Sequence, residues 1–294
     1  MTSCGLLLLL AATVAAQLHD GGPMSFDVAS VKPSRKAWYP GFPMDNSNVY
    51  IPQGRFSASL DLWSYIAFAY KLGPSLEQRR DAVAKYPKGL STDDLFEIDA
   101  RAEGKRGKDQ IRLMLQSLLA ERFKLVVHFE TREVPVLALT LARQGKTGPK
   151  LRPHEEGPPC PDVAATPPMP APPAAAPVSG VFPANCDSPQ VANQLSSVWL
   201  AGARNITTPL LAESIYRWGV GAGDVDKPVV DQTGLTGNFD FTVEYTPEFI
   251  RARPDSQGIS FRDAVRQQLG LRLTPSRGAI RMLVLDHVER PSEN

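Results

Sequence analysis

Residues 124–142 read KLVVHFETREVPVLALTLA. Apolar and polar residues alternate on both sides of Arg132 and Glu133, a period of two that predicts strand rather than helix. Two such runs about a charged pair read as a β-hairpin. The preceding segment, KDQIRLMLQSLLAERF (108–123), is an amphipathic helix, with Ile111, Leu115, Leu118 and Leu119 on one stripe and Arg112, Gln116 and Glu121 away from it. Before that, DLFEIDARAE (94–103) alternates with Phe96, Ile98 and Ala100 on one face, and RFSASLDLWSYIAFAYKL (55–72) gives a short strand followed by an apolar helix.

The same order returns later. ARNITTPLLAESIYRWGV (203–220) reads as strand and helix, with Pro209 placed at the helix start. NFDFTVEY (238–245) repeats the alternating strand through Phe239, Phe241 and Val243. SFRDAVRQQL (260–269) repeats the helix, with Ser260 and Asp263 at capping-box spacing. LRLTPSRGAIRMLVLDHVE (271–289) repeats the hairpin, turned at Pro275 to Gly278. Two related β-α-β-α-β-β units of an α+β protein follow from this pattern, small sheets with helices on one face, and an ancient duplication accounts for the shared order. The ends also echo each other: FDVASVKPSR and LVLDHVERPSE are alternating strands leading to a charged residue and a proline. Placing the N-terminal strand beside the C-terminal hairpin would let the halves share a sheet.

Between the units lies a stretch holding nearly half of the 27 prolines. Such composition propagates neither helix nor central strand, so it predicts an extended connection. The expected division is 24–143 for the first unit, 144–190 for the Pro/Ala-rich linker and 191–294 for the second. MTSCGLLLLLAATVAAQ at the start carries an apolar run from Gly5 to Val14 and a Val14-Ala15-Ala16 pattern, read as a signal peptide over 1–16 although no basic residue precedes the run. The run is too short to span a bilayer comfortably, and no later stretch is apolar over about 18 residues. Cleavage would remove Cys4 and leave Cys160 and Cys186, an even pair that predicts a disulfide in an exported chain. That bridge would stabilise by roughly 3 kcal/mol in the chain-entropy account and would turn the linker into a tethered loop. Two isolated cysteines do not fill a tetrahedral metal shell, so neither metal nor cofactor is expected.

Chemistry is sparse. VVDQTGLTGNFDFTVEYTPE (229–248) contains Gly234 and Gly237, but a strand follows them and no Lys is near. A phosphate loop needs a helix there, so the glycines read as a turn between two strands of a hairpin. His19 and His154 fall in irregular segments, whereas His128 and His287 fall in the final strands, the latter flanked by Asp286 and Glu289. Glu97 and Asp99 share the outer face of one strand, the sort of carboxylate pair that acts on a sugar but more commonly a solvated face. No Gly-x-Ser-x-Gly elbow is present, and Asn205-Ile206-Thr207 matches a glycosylation sequon. Trp63, Tyr65, Phe68 and Tyr70 in one helix and Tyr216 and Trp218 in its counterpart exceed what one buried stripe needs. Trp63, Tyr65, Tyr70, Tyr216 and Trp218 are therefore the candidate ligand platform, against the alternative that each helix packs on its own sheet. With 32 basic against 31 acidic residues and no long run of either sign, the chain carries no nucleic-acid footprint.

FDVASVKPS, LLAERFKLVVHFETREVPVLALTLAR, PVVDQTGLTGNFDFTVEYTP and LVLDHVERPSEN together resemble a family of exported proteins of unknown function, expanded in Acidobacteria and related soil bacteria and also found joined to membrane metallopeptidases similar to β-lactam sensors. The resemblance covers nearly the whole mature chain. It implies an extracytoplasmic place, periplasmic or secreted, and a sensory or ligand-binding role, with no catalytic residues to carry over. This chain lacks the membrane helices and zinc motif of the fused proteins. The small units also resemble, in architecture only, the periplasmic modules that precede secretin and TonB-dependent channels. The expected function is a non-enzymatic binding or interaction module of the cell envelope, its partner an envelope protein, peptide or glycan. The alternative is an extracytoplasmic hydrolase drawing on Glu97, Asp99, His128 or His287.

Overall fold

A computed structural model describes residues 23–160, 186–192 and 197–291, apart from positions 41, 43, 45, 47–49, 52–53, 74, 158, 254–255 and 257. The expected signal peptide and most of the proline-rich stretch lie outside the described residues.

The first lobe opens with β1 (Val28–Ser34), β2 (Tyr50–Ile51) and β3 (Arg55–Asp61), which runs directly into α1 (Leu62–Ala69). Asp61 makes that junction: it stays extended while its carboxylate accepts the Ser64 N–H at 3.2 Å, satisfying a donor the first helical turn would leave unpaired. Next come α2 (Leu76–Val83), β4 (Leu95–Arg101), β5 (Arg106–Gly107) and α3 (Lys108–Arg122). The main sheet is antiparallel in the order β1-β4-β3. Phe96, Ile98 and Ala100 point inward as the alternation predicts, and α1 and α3 cover that face. Helix α1 is apolar nearly all round because it is enclosed, with Leu62, Trp63, Tyr65, Ile66, Phe68 and Ala69 buried. The expected stripe of α3 is also buried, but Arg112 is not on a solvent face. It is 2% exposed, its guanidinium ion-paired with Asp109 and 5.0 Å from the centre of the Phe68 ring. A cation that stacks and pairs can occupy the seam between two helices, which polarity alone does not reveal.

After α3 the chain enters β6 (Val126–Leu141), a single strand. The second lobe then contains β7 (Leu151–Pro153), a short 3-10 turn (His154–Glu156), β8 (Gln190–Ala192), β9 (Trp199–Thr207) and α4 (Thr208–Ala222). Pro209 lies in the first turn of α4, as expected. β10 (Val229–Asp231), β11 (Asn238–Tyr245), α5 (Glu248–Arg251) and α6 (Phe261–Gln268) follow, and β12 (Leu271–His287) ends the set. Ser260 caps α6 by accepting the Asp263 N–H at 3.1 Å. The sheet order here is β7-β11-β9-β8, with α4 and α6 contributing Leu211, Ile215, Phe261 and Val265 to its core. The class is mixed α+β, small sheets with helices. Part of the stretch read as linker is built into the second sheet, since Leu151 and Pro153 pair with Phe241 and Phe239.

The principal correction concerns the two hairpins. Neither folds on itself. β6 and β12 pair with each other, antiparallel, from Leu271↔Leu141 to His287↔Val126. Arg132, Glu133 and Pro275 to Gly278, which resemble turns, lie in the middle of this ribbon, where Glu133, Pro275, Ser276 and Arg277 are exposed. The apolar side of the ribbon there is supplied by β6, whose Val134, Val136 and Leu137 are buried opposite Gly278, Ser276 and Pro275, and an edge strand such as β12 tolerates proline. The ends of the ribbon behave differently. Leu283, Leu285 and Val288 complete the core of the first lobe, whereas Leu137, Leu139 and Leu271 belong to that of the second. Each lobe is thus closed by strands from both halves of the sequence.

Two further expectations change. The N-terminal strand β1 pairs with β4, Val28↔Arg101 to Ser34↔Leu95, rather than with the C-terminal strand. Gly234 and Gly237 do take positive φ, 68° and 91°, but the strands around them form no hairpin. β10 adds in parallel to β6, Val229↔Leu137 to Asp231↔Leu139, while β11 lies in the other sheet. The glycines turn the chain from one sheet to the next.

Candidate functional site

Four of the five aromatic candidates are in the cores: Trp63 is 8% exposed, Tyr65 0%, Tyr216 6% and Trp218 7%. The Tyr65 hydroxyl lies 2.8 Å from the Ala58 carbonyl and 2.6 Å from that of Phe96, and accepts the Leu60 N–H at 3.2 Å. It ties α1 to both neighbouring strands, and burial pushes its ionisation well above the usual tyrosine range. Trp218 packs against Phe241, 5.8 Å between ring centres. Tyr70 is half-buried, edge-on to Phe129 of β6, over which Arg281 of β12 stacks at 3.6 Å. The helices thus direct these rings inward, the alternative in which each helix packs on its own sheet.

At the edge of the second core another aromatic group reaches the surface. Trp199, at the start of β9, meets Tyr245 and Phe249 edge-on, with ring centres 6.1 and 5.9 Å apart. Phe249 is 56% exposed and Val198 beside Trp199 is also exposed. The Trp199 indole Nε1 is buried and has no hydrogen-bond partner among the described residues. An exposed aromatic ring supported edge-on by a second can contact a ligand's apolar face.

The acid and base candidates do not converge. Asp99 is held by Arg55 through two hydrogen bonds of 3.2 and 3.0 Å on the outer face of the first sheet, beside an exposed Glu97. His128 Nδ1 meets Asp286 at 2.8 Å and its Nε2 meets Glu130 at 3.3 Å, and hydrogen bonds to these two carboxylates raise its pKa above the ordinary histidine value. Asp286 therefore serves His128, across the ribbon, while His287 pairs with Glu289 at 3.0 Å.

The densest polar cluster was not anticipated from sequence. In the second lobe the β11–β9 register shifts between Phe239 and Phe241. A bulge re-aims the residue it contains, and Asp240 is 8% exposed despite its charge. Its Oδ1 accepts the Asn205 N–H at 2.8 Å and faces His154 Nδ1 at 2.6 Å, while Arg204 Nε stands 3.8 Å from Oδ2. The other ring nitrogen, Nε2, lies 3.4 Å from Cys160 Sγ. Cys160 is disulfide-bonded to Cys186, Cα–Cα 5.7 Å, so the expected bridge is present. Asp187 follows, its Oδ1 accepting from Asn205 Nδ2 at 2.8 Å; burial raises its pKa while Asn205 and His154 oppose that rise. Asp187 and Asn205 both take left-handed backbone, φ 58° and 55°, a conformation these short polar residues accept more readily than others. The sequon asparagine is thus engaged within the fold. His154 precedes Cys160 by only six positions and Asp240 interrupts an apolar alternation, but the bulge and the β7 pairing that join them are tertiary.

These features define a two-lobed α+β protein whose halves are joined by a shared ribbon and whose second lobe holds a disulfide against a histidine–carboxylate pair. The chain belongs to a family described as "Protein of unknown function (DUF3738)", whose pattern matches residues 63–288, from α1 to just beyond β12. Comparisons with curated proteins and with solved structures return no match. No helix among the described residues is long and apolar enough to cross a membrane.

Proposed function

We propose that this is an extracytoplasmic binding protein of the bacterial cell envelope, non-enzymatic, exported by residues 1–16 and taking a peptide, a glycan or an envelope protein as its partner. The observation that carries this reading is the Trp199–Phe249 pair, packed on the buried Tyr245 and exposed at Phe249. An exposed aromatic ring backed by a second one favours sugar rings and apolar peptide side chains. The disulfide supports an oxidising compartment. The likeness to proteins of soil bacteria, and to modules fused to membrane metallopeptidases, supports a sensory use of such binding. The shared element order of the lobes supports descent by duplication from one unit.

The test is retention of the purified chain on cell-wall fragments, oligosaccharides and envelope extracts, with tryptophan fluorescence as a second readout. Wild type is expected to bind one of these classes and to shift its tryptophan emission. Phe249→Ala, at an exposed position, is expected to keep the fold and weaken binding by about 10-fold or more, as for a central aromatic contact. Retention on none of them, or binding unaffected by Phe249→Ala, would overturn the reading.

A further inference from the structure

The His154 cluster holds more ligand chemistry than a structural disulfide requires. Nε2 of His154 and the sulfurs of Cys160 and Cys186 all lie within 4.8 Å of one another. Around a tetrahedral zinc ion, with metal–nitrogen bonds of about 2.0–2.1 Å and metal–sulfur bonds of about 2.3 Å, neighbouring ligand atoms stand roughly 3.5–3.8 Å apart. The Nε2 to Cys160 Sγ separation, 3.4 Å, is just short of that spacing.

The imidazole is also oriented for the task. Asp240 engages Nδ1 at 2.6 Å, so with the carboxylate ionised Nδ1 carries the proton and Nε2 presents its lone pair to the sulfurs. A carboxylate behind a histidine is the usual support of a metal-bound imidazole, fixing the tautomer and raising ligand basicity. Asp240 is itself held by the Asn205 N–H. Gly157 lets the chain pass over it, since a Cβ there would lie 2.4 Å from Asp240 Oδ2. This frame does not depend on the disulfide. His154 directly follows β7, which is hydrogen-bonded to β11 at Leu151↔Phe241, Arg152↔Asp240 and Pro153↔Phe239. Opening the bridge frees the sulfurs and leaves the imidazole in place.

We propose that reduction of the Cys160–Cys186 disulfide converts this cluster into a binding site for a thiophilic divalent cation of the zinc class, with His154, Cys160 and Cys186 as ligands and Asp240 as the positioning residue behind His154. The reductant is a dithiol: it passes two electrons and two protons to the bridge and leaves as its own disulfide. Both thiols then surrender their protons as they bind the cation. One imidazole and two thiolates select zinc-like ions over magnesium or calcium, which prefer oxygen. Three protein ligands leave the fourth position to solvent. The same residues thus form a covalent tether when oxidised and a metal centre when reduced.

The test uses the full chain carrying Cys4→Ser, so that only two cysteines remain, reduced anaerobically with a phosphine and then freed of it. Cobalt(II) serves as the spectroscopic probe, followed by zinc competition. The reduced chain is expected to take up one equivalent with sulfur-to-cobalt charge-transfer absorption and tetrahedral d–d bands, both erased by zinc. Zinc is expected to raise the Tm of the reduced chain and leave that of the oxidised chain unchanged. Asp240→Asn should keep the thiolate bands and weaken binding by about 10- to 100-fold. His154→Ala and the gentler His154→Gln should lose the tetrahedral spectrum. Absence of thiolate–cobalt bands in the reduced chain, whether it stays folded or unfolds beyond rescue by metal, would overturn the proposal. So would equal uptake by the oxidised chain, or titration of both His154 variants like wild type.

Discussion

The central strands of the two lobes, β4 and β11, are alike in pattern and different in outcome. β4 pairs with β3 without interruption from Arg55↔Arg101 to Asp61↔Leu95. Its charges, Glu97 and Asp99, therefore stay on the outer face, and its core side holds only Phe96, Ile98 and Ala100. β11 carries one register shift, between Phe239 and Phe241, and the residue inside it, Asp240, turns into a partly buried polar cluster. One bulge thus separates a strand with a wholly apolar inner face from one that carries a carboxylate into a buried polar cluster. Aromatic packing does not separate them: both cores are rich in aromatic rings, and each lobe also leaves a ring at the surface, Tyr39 in the first and Phe249 in the second.

The shared ribbon offers the strongest test of this comparison. Leu283→Ala removes a side chain that lies late in the sequence yet sits 2% exposed in the core of the first lobe. A loss of about 2–5 kcal/mol is expected, as for other buried Leu→Ala changes. Amide exchange should show it in β1, β3 and β4. Faster exchange confined to the second lobe would break the account of shared closure.

Asp240→Ala and Asp99→Ala compare the two strands directly. The first leaves the Asn205 N–H and His154 Nδ1 without their acceptor and is expected to cost about 1–3 kcal/mol in urea unfolding. The second removes only an exposed pair with Arg55 and should cost about 0–1 kcal/mol. Equal costs would erase the distinction drawn between straight and bulged strands. Tyr65→Phe should cost about 1–2 kcal/mol, because the Leu60 N–H and two strand carbonyls lose a common partner.

The smallest effect concerns the exposed ribbon. His128 titrates above the ordinary histidine value because Asp286 and Glu130 hydrogen-bond its ring. A raised folded-state value means that the stabilisation is full below the unfolded pKa, 6.5, and fades as pH rises through the folded one. Ring-proton NMR should show the His128 midpoint falling toward 6.5 in Asp286→Asn. An unmoved midpoint would mean that the cross-ribbon contact is not made in solution.

Much of the local structure is legible in the sequence. The inward face of β4, the Ser260 cap, Pro209 at the start of α4, the positive φ of Gly234 and Gly237 and the disulfide all follow from spacing and residue chemistry. The place of Arg112 is not legible, because a buried cation stacked on Phe68 looks, by polarity, like a surface residue. The His154 cluster is hidden for another reason. His154, Cys160, Asp187, Asn205 and Asp240 are spread over nearly ninety positions, and no spacing rule links them.

By itself, the sequence determined the α+β class, the strand-helix-strand-helix run that each unit shares and the cysteine pairing, because each depends on local periodicity or on the scarcity of alternatives. The tertiary structure alone decided that the two final segments are single strands paired with one another. A run of charged residues, proline and glycine is compatible with a turn or with a solvent-exposed stretch of ribbon. Only the cores at its two ends, which require Leu137 and Leu139 on one side and Leu283 and Leu285 on the other, select the second. The same holds for Asp240: alternation gives the strand, but the register shift that turns its carboxylate toward His154 depends on how β9 and β11 meet.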